Sequence, residues 1–305
     1  MARAELPGRG NAVQKILALW RHGHRWGTGK TQVGATLCAL SLGLCMATHA
    51  FAVDALNAPL VLAGSGGNLA LTRVLAEAYG KVQPGVTIEV PASIGSTGAI
   101  RAAVDGAVSL GLISRPLKPE ERTWGLTVVP YAQAIVALGA HPTVADTNIT
   151  FEDLVRIYDK TKTQWQDGHD IVVLTREQGE SALLTLAEVI PGFQRAYEGS
   201  QQAKRWTTLY TAQEMHRVLA KTPYALGFAD FGAITIEQLP IKVLRVNGIT
   251  PTEEAVRQGH YPLVRTLSFV FKHDKLTPAA QAFLDFARSA AGQTVIQANG
   301  YLSSK

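Results

Sequence analysis

Residues 174 to 181 read LTREQGES, an apolar strand-like run that ends in a turn containing Arg176, Gly179 and Ser181 just before a helical pattern begins. Two kinds of chemistry fit such a turn. A serine at a sharp strand-to-helix turn can be the nucleophile of a hydrolase. The unpaired N–H groups at the start of a helix can instead bind an anion, and Arg176 would add a planar pair of donors.

Three further turns share these features, since each follows a predicted strand and contains glycine or serine. They are GSGGN (64 to 68), GSTG (95 to 98) and SRP (114 to 116). In open α/β sheets, ligands bind outside the carboxyl ends of the strands, where such turns converge. Glycine allows close approach to the backbone, serine and threonine add hydroxyl donors, and Arg115 is a second candidate for an oxyanion. The turns together predict a site for a small oxyanion.

The hydrolase hypothesis is the weaker one. A nucleophile turn of the Gly-x-Ser-x-Gly type needs a small residue two places after the serine, and Leu183 occupies that position. The remaining acid and histidine would have to come from Asp230, Asp274, His260 and His273, which no spacing singles out. The histidines are scattered and no H-E-x-x-H pattern occurs, so the sequence predicts neither a metal nor a cofactor.

Strands and helices alternate in the predicted secondary structure, which indicates parallel sheets covered by helices, an α/β fold. The first unit has strands at 60 to 64, 86 to 90 and 108 to 114, with helices between them. In the second unit, Thr150 is the predicted N-cap of a helix, a strand runs from 171 to 175, and a helix starts at Ser181. A further strand is predicted at 224 to 234 and one terminal helix at 279 to 297.

Two long apolar segments, 127 to 141 and 261 to 272, are predicted as strands that cross between two domains. The first domain is therefore discontinuous. We predict a signal peptide at 1 to 52, a first lobe formed by 53 to 134 and 262 to 305, and a second lobe formed by 135 to 261.

The net charge of +5 comes from the N-terminus. Six of the 29 basic residues but one of the 24 acidic residues lie in the first 52 positions, so the remainder is neutral and a nucleic-acid partner is not expected. The apolar run 33 to 47 is too short to span a bilayer and leads to Ala50-Phe51-Ala52, which predicts export with cleavage after Ala52. A lipid anchor on Cys45 is less favoured because Leu44 precedes it.

These motifs, with ITFEDLVRIYDKTKTQW, YALGFADFGAI and GQTVIQANGYL, resemble in order and spacing the phosphate-type solute-binding proteins of ABC importers over nearly all of 58 to 305. The resemblance implies a two-lobed type II periplasmic binding protein, a monomer that closes on phosphate and delivers it to an inner-membrane permease. A secreted sensor or adhesin with the same lobes is the alternative. The implied ligand-binding residues are Ser65, Gly66, Gly67, Asn68, Ser96, Thr97, Gly98, Ser114, Arg115, Arg176, Gly179, Glu180 and Ser181.

Two departures from the family bear on the ligand. The third turn has Ser114 and Arg115 where the phosphate binders carry an aspartate, and the second-lobe turn has Gly179-Glu180-Ser181-Ala182 in place of Gly-Ser-Gly-Thr. Phosphate keeps a proton near neutral pH, so a site that selects it needs an acceptor. One hypothesis is that Glu180 is this acceptor. The other is that Glu180 is an ordinary first-turn acid that faces water.

Overall fold

The computed structural model describes residues 58 to 304. The predicted signal peptide, its cleavage site and Cys45 lie outside the described residues. Within 58 to 304, no helix combines the length and hydropathy needed to cross a membrane.

The first part of the described chain forms three parallel strands with a helix after each of the first two. Its elements are β1 (Leu60–Gly64), α1 (Gly66–Val82), β2 (Ile88–Glu89), α2 (Gly95–Asp105) and β3 (Leu110–Ile113). β1 lies in the middle and pairs in parallel with β2 and β3. The side chains of β3 are all buried, as expected for a parallel strand covered on both faces.

The middle of the chain begins with a long strand and then builds a second parallel group. Its elements are β4 (Leu126–Ala140), β5 (Asn148–Ile149), α3 (Phe151–Tyr158), β6 (Val172–Arg176), α4 (Ser181–Val189), α5 (Phe193–Gln202), β7 (Thr207–Leu209), α6 (Ala212–Leu219), β8 (Ala225–Asp230), α7 (Phe231–Ile236), β9 (Lys242–Val243), β10 (Arg245–Val246) and α8 (Glu253–Arg257). β6 pairs in parallel with β7 and β8, and β8 pairs antiparallel with β4. The predicted start of α4 at Ser181 is confirmed.

The C-terminal part returns to the first group of strands. Its elements are β11 (Val264–Lys272), α9 (Pro278–Arg288), α10 (Ala290–Ala298) and β12 (Leu302–Ser303). β11 pairs antiparallel with β3 on one side and with β4 on the other. The strand order β2-β1-β3-β11-β4-β8-β6-β7 confirms the α/β class, because two parallel groups are joined by two long antiparallel strands.

Two large apolar clusters form the core, and successive stretches of β4 belong to one and then to the other. The first draws on residues between 60 and 134 and between 267 and 301. The second draws on residues between 135 and 263, together with Leu302. β4 contributes Ala134 to the first cluster and Ile135 to the second. The lobe boundaries themselves stay a prediction.

Two elements differ from the sequence prediction. The strand expected at 224 to 234 ends at Asp230, which is the N-cap of α7, because the backbone turns there while the Asp230 side chain is held by Arg265. The single terminal helix is two helices, since the Ser289 hydroxyl accepts from the N–H of Gly292 and starts α10. Helix α5 and strand β7 were not predicted.

Thr150 caps α3 as predicted. Its hydroxyl accepts from the N–H of Asp153 at 2.9 Å, and the Asp153 carboxylate accepts from the N–H of Thr150 at 3.4 Å. We expect Thr150→Ala to destabilise the protein by about 1 kcal/mol, which lowers Tm by about 2–4 °C. Thr150→Ser keeps the hydroxyl and serves as the control in thermal unfolding. Equal Tm values for the two variants would contradict this role of the cap.

Candidate functional site

A cleft of about 390 Å³ lies where the carboxyl ends of β1 and β6 meet the first turns of α1, α2 and α4. The chain forms it because each of these strands runs directly into a glycine- and serine-containing turn. The predicted site residues that line it are Ser65, Gly66, Ser96, Thr97, Arg176, Gly179, Glu180 and Ser181. Glu177 and Tyr210, which the sequence did not single out, line it as well.

The other predicted residues lie next to this cleft rather than along it. A Cβ on Gly67 would fall 2.1 Å from Nη2 of Arg265, so glycine is required for this close packing. Asn68 is buried and donates to the carbonyl of Ile113 and the hydroxyl of Tyr131. Gly98 packs against Ile94 within the start of α2.

Arg115 is held by a buried ion pair. Its Nη1 and Nη2 donate to the two carboxylate oxygens of Glu121 at 2.7 and 2.8 Å, and further bonds reach the carbonyl of Pro116 and the hydroxyl of Thr97. The guanidinium therefore already donates four hydrogen bonds to three residues of the protein. The contact of Arg115 with a ligand stays a prediction. Its bonds to Glu121 also give it a structural role, because they hold the turn after β3 in place.

Arg176 ends β6 and is fixed at the edge of the cleft. Its Nε donates to the carbonyl of Leu209 at 2.8 Å, its Nη2 donates to the carbonyl of Tyr210 at 3.1 Å, and the same two nitrogens bond to Glu177. Among residues 58 to 304, Nη1 has no hydrogen-bond partner. The side chain is thus oriented on one side and has donors left for the cleft.

Glu180 is the N-cap of α4. One carboxylate oxygen accepts from the N–H groups of Ala182 and Leu183 at 2.7 and 3.2 Å, and the other accepts from Arg265 and from the Ser181 hydroxyl, both at 3.2 Å. Burial raises the pKa of Glu180, but the charges of Arg265 and Arg176 outweigh it and hold the pKa below its ordinary value.

The side chain of Glu180 is only 8% exposed. The hypothesis that it faces water is therefore wrong, because the N-cap geometry turns the carboxylate back onto its own helix. Its role as the direct acceptor of a ligand proton stays a prediction, although protein donors already occupy both oxygens.

Arg265, which no sequence motif singled out, lies on β11 behind the cleft. Its guanidinium forms a buried ion pair with Asp230, with contacts of 2.6 and 3.2 Å, and it also donates to Glu180 and Ser181. Burial lowers the pKa of Arg265, but the two carboxylates outweigh burial and raise it, so the group stays charged. The available signal was that Arg265 is the one charged residue within the apolar run YPLVRTLSFVF (261 to 271).

Three buried serine hydroxyls connect the turns of the two strand groups. Ser65 Oγ lies 2.6 Å from Ser114 Oγ, and Ser114 Oγ lies 2.8 Å from Ser181 Oγ. Ser65 and Ser181 line the cleft, and Ser114 joins them from behind it. The second and third turns also meet, since the N–H of Ser114 donates to Ser96 Oγ at 3.3 Å.

The surroundings of Ser181 differ from those of a hydrolase nucleophile. Its hydroxyl bonds to Ser114, Glu180 and Arg265 within the described chain, and these partners include no histidine that could act as a base. The described residues also contain no cluster of three or more His, Cys, Asp or Glu side chains suited to a metal ion.

Comparison with protein families gives a match over residues 29 to 291 to the model of the PBP superfamily domain. The chain belongs to the PBP superfamily. This membership and the structural similarities below confirm the two-lobed, type II periplasmic-binding-protein fold and the resemblance to phosphate-type solute-binding proteins.

Several members of the PBP superfamily can be compared in detail. The chain is 22% identical over 249 residues to the phosphate-binding protein PstS of Borreliella burgdorferi, which covers 79% of this chain and 89% of that protein. A protein of Clostridium perfringens, described as a phosphate ABC transporter substrate-binding protein and solved with bound phosphate, superposes with a TM-score of 0.73 at 25% identity. The superposition covers 81% of this chain and all of that one. An ABC-type phosphate transport receptor of Vibrio cholerae shares the fold, with a TM-score of 0.59, 21% identity, and coverage of 80% of this chain and all of that one.

We expect Glu121→Gln to destabilise the protein by about 3–5 kcal/mol at neutral pH, because it leaves the buried Arg115 without its counter-ion. Hydrogen bonds from Arg115 hold the pKa of Glu121 below its ordinary value of 4.5. The stabilisation is therefore present above that value and is lost as the pH falls through the lower, folded-state pKa. Urea unfolding at several pH values measures this loss.

The difference in unfolding free energy between wild type and Glu121→Gln should shrink on acidification. Glu120→Gln changes the adjacent, exposed glutamate and is the matched control, for which we expect a change within about 0.5 kcal/mol. A difference for Glu121→Gln that stays constant down to the acid transition would contradict the assigned pair.

Proposed function

We propose that the protein is an exported receptor that binds inorganic phosphate in the cleft and delivers it to an ABC permease. The observation that carries this proposal is the convergence of two uncapped helix N-termini, serine hydroxyls and Arg176 on one small cleft. The names of its PBP-superfamily relatives support phosphate as the ligand and an ABC importer as the partner. Such receptors work outside the cytoplasm, in agreement with the predicted export signal.

The N–H groups of the first turns are the main donors in this proposal. α1 begins at Gly66 and α2 at Gly95, and neither helix has a side-chain cap. The N–H of Gly95 donates to the hydroxyl of Ser93 at 3.3 Å, and the N–H of Asn68 donates to the carbonyl of Ser65 at 3.0 Å. The other first-turn amides of α1 and α2 are the proposed donors to an anion, and the helix dipoles favour negative charge there. The hydroxyls of Ser96 and Thr97 stand beside the amides of α2 and line the same cleft.

Positive side-chain charge is not in surplus at the cleft. Arg176 is paired with Glu177, and Arg265 is paired with Asp230 and Glu180. Attraction to an anion must therefore come largely from backbone dipoles and from Nη1 of Arg176, which has no hydrogen-bond partner in the described part of the chain. The attraction between these dipoles and an anion is stronger when water is excluded from the cleft. Closing two lobes around the ligand would exclude it.

The proposed lobes are 53 to 134 with 262 to 305, and 135 to 261. Their movement would bend the chain at β4 and β11, the two long strands that both strand groups share. A ligand that touches Ser65 on one side and Arg176 on the other stabilises the closed form over the open one. Closure about such strands is the hinge motion known for periplasmic binding proteins.

Arg176→Ala should weaken phosphate binding by about tenfold to a hundredfold, since it removes a charge-assisted hydrogen bond. Isothermal titration calorimetry measures the loss. Arg101→Ala removes an exposed arginine from α2 and is the matched control, with unchanged affinity expected. Wild-type protein that binds no phosphate, or equal affinities of wild type and Arg176→Ala, would contradict the proposed site.

Small-angle scattering tests the proposed closure. We expect the radius of gyration of the wild type to fall when phosphate is added, and to fall less for Arg176→Ala at the same phosphate concentration, because fewer molecules are occupied. An unchanged radius at saturating phosphate would show that the lobes do not close on this ligand.

The mature N-terminus should be Val53, because the small residues Ala50 and Ala52 follow an apolar run. Mass spectrometry of the exported protein measures it, and Ala52→Arg, which removes the small residue at the cleavage site, should leave the leader attached. A first residue at Cys45 carrying a diacylglycerol group would show a lipoprotein instead.

A further inference from the structure

The hydroxyls of Ser65, Ser114 and Ser181 form a continuous hydrogen-bonded chain that ends at Glu180. The contacts are Ser65–Ser114 at 2.6 Å, Ser114–Ser181 at 2.8 Å and Ser181–Glu180 at 3.2 Å. All three serines are at most 5% exposed. Each hydroxyl can donate one hydrogen bond and accept two, so the direction of one bond constrains the next.

Arg265 and Glu180 fix the inner end of this chain. Arg265 can only donate, so it fills one lone pair of Ser181 Oγ. When it is ionised, the Glu180 carboxylate accepts hydrogen bonds and cannot donate one. The neighbouring arginines favour this ionised form against the effect of burial on its pKa. The hydroxyl of Ser181 therefore has a charged acceptor in Glu180.

Two continuous orientations of the hydroxyls satisfy both serine–serine contacts. In the inward orientation, Ser65 donates to Ser114, Ser114 donates to Ser181, and Ser181 donates to Glu180. In the outward orientation every direction is reversed, Ser65 donates into the cleft, and the bond from Ser181 to Glu180 is absent. The inward orientation has one more bond within the protein, and that bond is charge-assisted.

In the inward orientation Ser65 presents a lone pair to the cleft. We propose that Ser114 and Glu180 act through Ser65 to make the cleft prefer a tetrahedral oxyanion that carries a proton, such as hydrogen phosphate, over one that carries none, such as sulfate. This specificity rests on the proposed function. A protonated oxygen donates to Ser65, whereas sulfate has no proton to donate. Sulfate therefore either faces the Ser65 lone pair without a hydrogen bond or reverses the chain and forfeits the bond between Ser181 and Glu180.

Isothermal titration calorimetry with inorganic phosphate, arsenate and sulfate tests the proposal, at a pH where all three anions are mainly dianions so that charge does not distinguish them. Hydrogen arsenate is larger than hydrogen phosphate but also carries one proton. We expect the wild type to bind both phosphate and arsenate more tightly than sulfate. Preference for sulfate, or equal affinities for phosphate and sulfate, would overturn the proposal. The protein would then still be a receptor for oxyanions.

Ser114→Ala breaks the chain at its centre and should lower the phosphate-to-sulfate affinity ratio about fivefold to tenfold, which corresponds to the loss of about one hydrogen bond. Glu180→Gln should lower the same ratio, because the amide that it introduces can donate to Ser181. Ser114→Thr keeps the hydroxyl and should restore the ratio. Ser96→Ala is the matched control, since it should weaken both anions alike and leave the ratio unchanged.

The outcomes separate the two proposals. Wild-type protein that binds none of the anions refutes the phosphate receptor, and the specificity mechanism falls with it. Phosphate binding with a ratio unchanged in folded Ser114→Ala and Glu180→Gln refutes the hydroxyl chain alone. Thermal unfolding of each variant shows that it is folded, and if Ser114→Ala does not fold, the ratio for Glu180→Gln decides.

Discussion

The buried charge of Arg265 is the constraint on which the centre of the molecule depends. A guanidinium removed from water costs several kcal/mol unless carboxylates surround it, and here Asp230 and Glu180 do so. Arg265 lies on the crossing strand β11, whereas Asp230 ends β8 and Glu180 starts α4. Pairing this one charge therefore fixes where the second strand group stands relative to the crossing strands, and Gly67 allows α1 to approach the same guanidinium.

The same arrangement determines how the helices present themselves to the cleft. α4 already has a carboxylate at its N-terminus, because Glu180 accepts from the N–H groups of Ala182 and Leu183. α1 and α2 have no such side-chain cap. An anion would thus be bound mainly by backbone N–H groups of the first strand group and by the Arg176 side chain of the second strand group.

Two ion pairs in the structure have different tasks. Arg115 and Glu121 lie six residues apart in the sequence and fasten the turn after β3. Arg265 joins elements that are distant in sequence and contacts residues that line the cleft. Arg115, one of the two arginines that the sequence motifs singled out, thus fastens a local turn, while Arg265 within an apolar strand organises the candidate site.

The sequence by itself determined the α/β class, most strands and helices, the capped start of α3, the start of α4, and the turns that surround the cleft. These features follow from local periodicity and from residues that prefer helix ends and turns. Tertiary structure decided which polar side chains remain available to a ligand. Arg115 is paired with Glu121, Glu180 caps α4, and Arg265 lies beside the cleft. The sequence could not show this, because the pairing of buried charges depends on residues that only folding brings together.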